Sequence, residues 1–234
     1  MTGKQCIAII PARGGSKRIP KKNIKDFLGR PVIQYPIAAA LESKSFVEVM
    51  VSTDDEKIVD VAKKMGANVP FLRSEKNSGD SISLAQVVKE VLVNYRKEGK
   101  VFELACCILP TAVFVTPRII KEGKQKILDD SKINSVISLT KFSYPIQRAL
   151  KIDNDGVKDF FVEDNFRRSQ DFEIAFHDAG QFYWFKIEEF FRKNCQRLLM
   201  YKADYIEFAN NSVQDINTLE DWEDAEIKYR NLHK

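Results

Sequence analysis

The sequence has few of the residues that mark secreted or fibrous proteins. It has four cysteines, two of them adjacent (Cys106 and Cys107), and no Cys-x-x-Cys pair of the kind that binds zinc. Ten glycines and eight prolines in 234 residues exclude collagen, low complexity and gross disorder. No apolar run approaches the roughly 20 residues that span a bilayer, and the apolar core of the first residues is too short for a secretory signal. The sequence therefore predicts a soluble cytoplasmic protein.

The charge is distributed unevenly along the chain. Residues 1–30 contain eight basic residues and one acidic residue, whereas residues 204–226 contain eight acidic residues and no Lys or Arg. Positive charge concentrated in one segment favours a small anionic ligand over a nucleic acid, which needs wider basic coverage. A solvated basic loop without a ligand is the alternative.

Strand and helix patterns alternate through the first 140 residues. Short apolar runs predict strands at 5–12, 47–53, 68–72, 103–109 and 135–140. Helical periodicity predicts helices after Pro31, over 55–65, over 84–95 with Ser81 or Ser83 as N-cap, and over 117–128. This alternation indicates an α/β fold with a parallel sheet covered on both faces.

The alternation breaks after residue 140. Residues 144–174 are polar and aromatic, and the run from Asp153 to Gly156 is a turn signal, so we expect an excursion from the sheet formed by a hairpin and a helical arm. A strand at 180–187 and a capped helix from Thr218 follow. Without a repeat or a linker, residues 1–234 are expected to form a single domain.

The loop after the first strand has the composition of an anion site. Gly14 and Gly15 let the backbone approach an anion and point N–H groups at it, while Arg13 and Lys17 neutralise phosphate oxygens. The loop matches neither the P-loop pattern nor the dinucleotide-binding glycine pattern. Because ligands of open α/β sheets bind beyond the carboxyl ends of the strands, we expect phosphate binding here.

Several segments carry a family resemblance. The run ARGGSKRIPKKN resembles the first motif of the CMP-sialic acid synthetase family, the cytidylyltransferases that activate nine-carbon sugar acids. The resemblance continues through VSTDDEKIVDVAKKMGA, VPFLR, LPTAVF and QDINTLEDW and so covers essentially the whole chain. The segments PIQRAL, RRSQDFE and HDAGQFYW are similar to the branch that acts on pseudaminic acid.

The resemblance implies a fold, substrates and an assembly. It implies a three-layer, Rossmann-like nucleotidyltransferase fold with a mostly parallel sheet and a protruding dimerisation insertion, for which residues 144–174 are suited. The expected substrates are CTP and a nonulosonic acid, with Mg²⁺ as cofactor. The product would be CMP-pseudaminic acid, used for surface glycans or flagellin glycosylation. A homodimer is expected, in which the arm completes the partner's site, and neither nucleic acid nor membrane is expected as a partner.

The family's nucleotide-binding positions transfer to the basic loop and one later arginine. Lys22 matches the lysine that approaches the α-phosphate, and Arg73 matches an arginine near the cytidine. The predicted nucleotide-binding residues are Ala12, Arg13, Gly14, Gly15, Ser16, Lys17, Lys22, Asn23 and Arg73. The predicted catalytic residues are Lys22, Arg13 and Asp215.

The acidic end of the chain offers cation ligands. Alternation in an extended segment puts Asp215 and Asn217 on one face, where both are predicted to meet Mg²⁺. The family usually has a second Asp at the position of Asn217, whose amide brings no charge. Asp54 and Asp55 also follow a strand, where they either contact the nucleotide or metal or cap the next helix.

A sugar acid presents a carboxylate and several hydroxyls, which arginine, amide and hydroxyl groups bind. The predicted sugar-binding residues are Arg148, Arg168, Ser169, Gln170, His177, Gln181 and Tyr183. Tyr183 matches a pocket tyrosine of the family, and His177 is equally well explained as an ordinary structural histidine. Leu109 replaces a glutamine that several sialic acid enzymes carry, which argues for a differently substituted nonulosonic acid.

Other functions remain open on the sequence alone. Within the family, the sugar could be sialic acid, legionaminic acid or the eight-carbon acid Kdo. A nucleotidyltransferase for neutral sugar 1-phosphates would carry a longer GxGTR-like loop, which is absent here. A non-catalytic nucleotide or RNA binder would show salt-sensitive binding of polymers and form no product.

Overall fold

The computed structural model describes residues 5–162 and 168–233. The strands are β1 (Cys6–Pro11), β2 (Asp26–Phe27), β3 (Arg30–Pro31), β4 (Glu48–Ser52), β5 (Leu104–Ile108), β6 (Ser135–Lys141), β7 (Leu150–Asp153), β8 (Gly156–Asp159), β9 (Phe176–Lys186) and β10 (Ala203–Phe208). The helices are α1 (Gln34–Ser43), α2 (Glu56–Lys64), α3 (Leu84–Lys97), α4 (Pro117–Asp129), α5 (Ile187–Arg192) and α6 (Leu219–Leu232). None of the helices described is long and apolar enough to cross a membrane.

The central sheet has six strands in the order β10-β6-β9-β5-β1-β4. Neighbours pair in parallel, except that β9 runs antiparallel to both β5 and β6. The amino end of β9 therefore lies at the same edge as the carboxyl ends of the other five strands. This edge is where a ligand site is expected in an open α/β sheet.

Helices cover both faces of the sheet, which confirms the three-layer fold. Alternate side chains of β1 enter two separate cores: Ala8 and Ile10 pack in the core that includes α1, α2, α4 and α6. Ile7 and Ile9 pack in the core that includes α3 and α5. A strand that is buried on both faces has apolar residues at every position. The sequence of β1 shows this unbroken apolar run, so the strand could be predicted from it.

One predicted strand is wrong. Residues 68–72 do not form a strand, and Asn68 makes only an isolated bridge to Met50 at the edge of the sheet. The Asn68 N–H donates to the Val49 carbonyl, but two residues later Pro70 has no N–H to continue the ladder. The strand predicted to begin at 180 begins at Phe176 instead.

The helix starts follow the predicted capping chemistry. Ser83 and Gln86 form a capping box at the start of α3, so Ser83 rather than Ser81 is the N-cap. Thr218 and Asp221 form a second capping box at the start of α6.

The excursion at 144–174 contains the predicted hairpin. Strands β7 and β8 pair antiparallel through a turn at Asp153–Gly156, and every residue of the two strands is exposed. The apolar side chains of Leu150, Ile152 and Val157 are among those exposed. The predicted helical arm falls partly on 163–167, outside the described residues, and the described part forms short 3₁₀ turns at Ile146–Arg148 and Ser169–Asp171.

Candidate active site

The basic loop leaves the carboxyl end of β1 in a defined shape. The N–H of Ala12 donates to the Ser52 carbonyl (2.9 Å), which extends the pairing with β4 by one residue. The buried side chain of Asn23 donates through Nδ2 to the Arg13 carbonyl at 2.9 Å. The N–H of Ser16 donates to the Gly14 carbonyl at 2.9 Å, while an added Cβ at Gly15 would meet no atom within 4 Å. The loop is thus anchored at both ends and open at its centre.

Gly14 approaches the end of β4 too closely for a side chain. Its N–H donates to Asp54 Oδ1 at 2.8 Å, and an added Cβ would lie 2.6 Å from Asp55 Oδ2. Asp55 accepts from the Lys57 N–H at 2.8 Å and is the N-cap of α2. The capping interpretation is therefore confirmed for Asp55, whereas Asp54 contacts the loop.

Two cations of the loop surround one carboxylate. Asp80 lies 2.5 Å from Arg13 Nη1 and 2.6 Å from Lys17 Nζ. The hydrogen bonds from these two side chains hold the pKa of Asp80 below its ordinary value. Arg13 and Lys17 therefore already converge on one anionic group, as a phosphate site requires.

Lys22 joins the basic loop to the acidic end of the chain. Its Nζ donates to the carbonyl oxygen of Ile216 at 2.7 Å. Burial lowers the pKa of Lys22, and the charges of Arg18 and Arg13 lower it further, while Asp215 opposes these effects. The ammonium thus lies partly desolvated beside Asp215, in a setting that strengthens its interaction with an anion.

Asp215 lies against an irregular part of β9. Gly180 has a φ of +62°, and an added Cβ would be 3.1 Å from Asp215 Cγ. Gln181 is fully buried and donates through Nε2 to the Ala179 carbonyl at 2.9 Å and to the Gln214 carbonyl at 3.4 Å. Gln181, predicted to bind the sugar, therefore joins the backbone of β9 to the backbone of the segment that carries Asp215.

Asn217 connects Asp215 to the basic loop. Asn217 Nδ2 donates to Asp215 Oδ2 at 2.6 Å, and Asn217 Oδ1 accepts from Arg18 Nη2 at 3.0 Å. The carboxylate of Asp221 accepts the N–H groups of Asn217 (2.9 Å) and Thr218 (2.7 Å). The turn at 214–218 is therefore held by Arg18 of the basic loop on one side and by Asp221 of α6 on the other.

The donors around Asp215 fit a magnesium ion that a triphosphate also coordinates. In the part of the chain that the structure describes, no three His, Cys, Asp or Glu side chains gather as a cation cage. Mg²⁺ is commonly held by one or two carboxylates, with substrate phosphates and water completing its shell. One exposed carboxylate facing a basic phosphate-type loop suits that arrangement.

A cavity of about 330 Å³ opens beside Asp215. Its lining, in the described residues, is Thr140, Lys141, Ser143, His177, Asp178, Ala179, Asn210, Val213, Gln214, Asp215 and Lys228. Asp178 accepts from Tyr183 Oη at 2.6 Å and from the Gly180 N–H at 2.9 Å, and burial raises the pKa of Tyr183. His177 packs its ring 4.8 Å from that of Phe142. A polar cavity of this kind suits a hydroxylated ligand.

Of the seven predicted sugar-binding residues, His177 is the one in the lining just described. Gln181 and Tyr183 are buried in β9, and four others lie further away in the chain. Arg148 stacks over Phe172 at 5.2 Å, and Arg168 pairs with Asp171 at 3.0 Å. Ser169 and Gln170 are exposed in the adjoining 3₁₀ turn. All four belong to the excursion, and their contact with a sugar stays a prediction.

Arg73 is buried at the carboxyl end of β4. Its Nε donates to Ser52 Oγ at 3.1 Å, and its backbone N–H donates to the Thr53 carbonyl at 2.8 Å. Burial lowers the pKa of the guanidinium, whereas Asp54 raises it. Arg73 therefore lies at the same edge of the sheet as the basic loop.

Larger cavities lie elsewhere. One of about 520 Å³ lies between α1, the start of α4 and the end of α6, one of about 630 Å³ lies by the start of β5 and α5, and one of about 400 Å³ lies along α3. None of these linings includes a described residue of loop 12–23 or of the turn at 214–218. The clustered charges therefore favour the smaller cavity as the site.

Sequence reasoning did not assign Arg18, Asp80 and Asp178 to the site. Asp80 pairs with Arg13 across 67 residues, and Arg18 pairs with Asn217 across 199 residues. Such pairs leave no periodic pattern in the sequence. Asp178 lies in the polar run HDAGQ at 177–181. Its position next to His177 is the one sequence feature that could have indicated a place in the sugar site.

Comparisons with known proteins identify the family. The model of a family described as cytidylyltransferase matches residues 7–228. A pseudaminic acid cytidylyltransferase of Campylobacter jejuni subsp. jejuni is 37% identical over 235 residues, covering 97% of each chain. A CMP-N,N'-diacetyllegionaminic acid synthase of Legionella pneumophila is 36% identical over 150 residues, 64% of each chain.

A solved structure supports the fold. The structure of a CMP:2-keto-3-deoxy-manno-octonic acid synthetase complexed with CTP superposes with a TM-score of 0.70 at 17% identity, covering 97% of this chain and 99% of the other. The family match over residues 7–228 and the relative at 37% identity together establish the family of this chain. The chain belongs to the cytidylyltransferase family and is a nucleotidyltransferase.

Proposed function

We propose that this enzyme transfers CMP from CTP to the anomeric hydroxyl of a nonulosonic acid, preferably pseudaminic acid, and releases pyrophosphate. The observation that carries the proposal is the meeting of the basic loop with the acidic turn, where Lys22 Nζ bonds to the Ile216 carbonyl at 2.7 Å. The Campylobacter jejuni relative named for pseudaminic acid supports the choice of sugar.

The basic loop would bind the triphosphate. Arg13 and Lys17 would exchange the Asp80 carboxylate for phosphate oxygens and then offset the charge that develops on the leaving pyrophosphate. The backbone of Ala12–Lys17 and the buried Asn23 would shape the cradle, and Arg73 would lie near the cytidine. The open space at Gly15 supports a close approach of the phosphates.

Lys22 would stabilise the α-phosphoryl group during transfer. The hydroxyl oxygen attacks the α-phosphorus and its proton passes to solvent, while the bond from that phosphorus to the bridging oxygen breaks and its electron pair leaves with pyrophosphate. Charge on the α-phosphoryl oxygens is best stabilised by a fixed cation in a partly desolvated site. The burial of Lys22 and its bond to Ile216 support this role.

Asp215 would hold Mg²⁺, with Asn217 beside it. The bound ion would neutralise triphosphate charge and orient the nucleotide. Asp215 faces the cavity, so its carboxylate is available to an ion carried on the phosphates.

The cavity beside Asp215 would receive the sugar acid. His177 and Asp178 line it, and Tyr183 orients Asp178 through its hydroxyl. Residues 1–234 would act as a single domain whose excursion, 144–174, reaches a second copy in a homodimer. The arginines of the excursion, Arg148 and Arg168, would then bind the sugar carboxylate in the partner's site.

The exposed hairpin supports the homodimer. Ile152 is 83% exposed and Val157 is 65% exposed, which suits an apolar contact with a second copy. Light scattering of the purified protein should give a dimer, and Ile152→Lys should give a monomer with reduced turnover. A monomeric unmodified protein with full activity would refute the proposed assembly.

A substrate panel tests the reaction. Pyrophosphate release is measured with CTP and Mg²⁺ against pseudaminic, legionaminic, sialic and Kdo acids. Release with pseudaminic acid alone is expected. Release with another acid would keep the reaction but refute the choice of sugar, and salt-sensitive polymer binding without release would favour a binding protein.

A further inference from the structure

The chemistry of its two partners fixes the orientation of the Asn217 amide. An ionised carboxylate only accepts hydrogen bonds and a guanidinium only donates them. Asn217 must therefore present its NH₂ group to Asp215 and its oxygen to Arg18, as the distances of 2.6 Å and 3.0 Å show. A flipped amide would place two acceptors together and two donors together.

This orientation turns the amide oxygen of Asn217 away from Asp215. The two side chains therefore do not offer two oxygens to one cation. Asp215 is left as the one charged ligand, and the bond from Asn217 restricts its rotation. Outer partners of this kind commonly orient a metal-binding carboxylate without touching the ion.

We propose that Arg18 is a positioning residue that acts on Asp215 through Asn217, and that Asn217 is a bridge and not a cation ligand. It follows that Mg²⁺ enters the site as a complex with the triphosphate, because one carboxylate holds the ion weakly without phosphate oxygens. The inference rests on the proposed function and adds to it the order in which the ion arrives.

Arg18 is exposed and belongs to the basic loop, so a direct contact with the triphosphate is the competing role. The two roles differ in what they change. A phosphate ligand contributes to CTP binding whether or not a cation is present. A positioning residue acting through Asn217 contributes to the binding of the cation in the ternary complex.

The test measures CTP binding and cation binding separately in Arg18→Gln, Asn217→Ala and the double variant. CTP affinity is measured calorimetrically with EDTA, and Mn²⁺ affinity is measured at saturating CTP by electron paramagnetic resonance. Lys21→Gln is the matched control, because Lys21 is an exposed cation of the same loop that forms no described contact with the turn at 214–218.

Each single variant should weaken Mn²⁺ binding in the ternary complex by roughly tenfold or more, a typical loss for an outer partner of a metal ligand. The double variant should be no weaker than either single variant, because both break one chain of contacts. CTP affinity in EDTA should match that of Lys21→Gln. Additive losses, or a loss of CTP affinity in EDTA beyond that control, would overturn the positioning role.

The bridge is tested in the nucleotide-free protein. The unmodified protein should bind Mn²⁺ weakly without CTP, and Asn217→Asp should bind one Mn²⁺ ion, since it replaces the donor facing Asp215 by a second carboxylate. Tight one-to-one Mn²⁺ binding by the unmodified protein without CTP would overturn the proposed order. Failure of the unmodified, folded protein to bind CTP at all would instead refute the proposed function.

Discussion

Lys22 Nζ lies 2.7 Å from the carbonyl oxygen of Ile216, a residue 194 positions further along the chain. Ile216 separates Asp215 from Asn217, so this bond joins the basic loop to the turn that carries the proposed cation ligand. A half-buried lysine gains from such a partner, because an ammonium removed from water without a partner is costly. The same bond holds the ammonium where a phosphate and an ion would meet.

Replacing Lys22 should impair turnover far more than folding. Lys22→Gln removes the fixed cation from the α-phosphoryl group and should lower kcat by about 10²–10³-fold, the usual cost of losing one electrostatic contact in a transition state. Steady-state kinetics and thermal unfolding of the variant and of Lys21→Gln provide the check. A kcat equal to that of the control would refute the catalytic role.

Turnover should also depend on pH through Lys22. Burial lowers the pKa of Lys22 below the ordinary 10.5, and the ammonium is charged only below its pKa. As the pH rises through this lowered pKa, kcat should therefore fall before pH 10.5 is reached. In Lys22→Arg the guanidinium stays charged, so this alkaline limb should disappear from the pH profile. An unchanged limb would assign the titration to another group.

Asp80 occupies the two cations proposed to bind the triphosphate. It contacts Arg13 at 2.5 Å and Lys17 at 2.6 Å, so nucleotide binding in the proposed mode would break both pairs. Because exposed ion pairs are weak, Asp80→Asn should lower the KM for CTP by only about two- to fivefold, and high salt should reduce the difference. A higher KM in this variant would mean that Asp80 helps to bind CTP.

Gly180 keeps space for Asp215. An added Cβ would lie 3.1 Å from Asp215 Cγ at a residue with a φ of +62°. Gly99 offers a matched control, since its φ is +77° and an added Cβ there meets nothing within 4 Å. Both alanine variants should lose about 1–2 kcal/mol of stability from the left-handed backbone.

Only Gly180→Ala should also lose turnover, by roughly tenfold or more, because it displaces the carboxylate proposed to orient the nucleotide through the cation. Urea unfolding and initial rates of the two variants distinguish the effects. Equal activity of the two variants would show that the position of Asp215 does not limit the reaction.

Asp178 should affect the sugar and not the nucleotide. Its carboxylate accepts from Tyr183 Oη at 2.6 Å and from the Gly180 N–H at 2.9 Å. Asp178→Asn can keep its oxygen on the Gly180 N–H, but its NH₂ group then donates to Tyr183 Oη, so the tyrosine hydroxyl loses its acceptor and the cavity loses a negative charge. The KM for the sugar acid should rise while the KM for CTP stays constant. A rise in the KM for CTP alone would place Asp178 in the nucleotide site.

The sequence predicted what depends on local patterns. The strand before Ala12 and the capping boxes at Ser83 and Thr218 arise from apolar runs and from contacts three residues apart, so they are visible in one segment. Pro70 shows the limit of this reasoning, because an apolar run with a proline could not continue the edge of the sheet.

The partners of the site residues depend on the fold. The glycines and cations of the loop indicated an anion site, but no local pattern placed Asp80 between Arg13 and Lys17. The choice of Asn217 as a possible ligand came from alternation. Its amide orientation follows from Arg18, which only the folded chain brings within 3.0 Å.

Cytidylyl transfer is proposed to take place at the edge of the sheet where Lys22 meets the turn at 214–218. The most direct test incubates the enzyme with CTP, Mg²⁺ and pseudaminic acid and follows the products by ³¹P nuclear magnetic resonance. We expect a CMP-sugar phosphodiester and pyrophosphate in equal amounts from the unmodified enzyme, and neither from Asp215→Asn. Pyrophosphate without the phosphodiester, or no product from the folded unmodified enzyme with any nonulosonic acid, would contradict it.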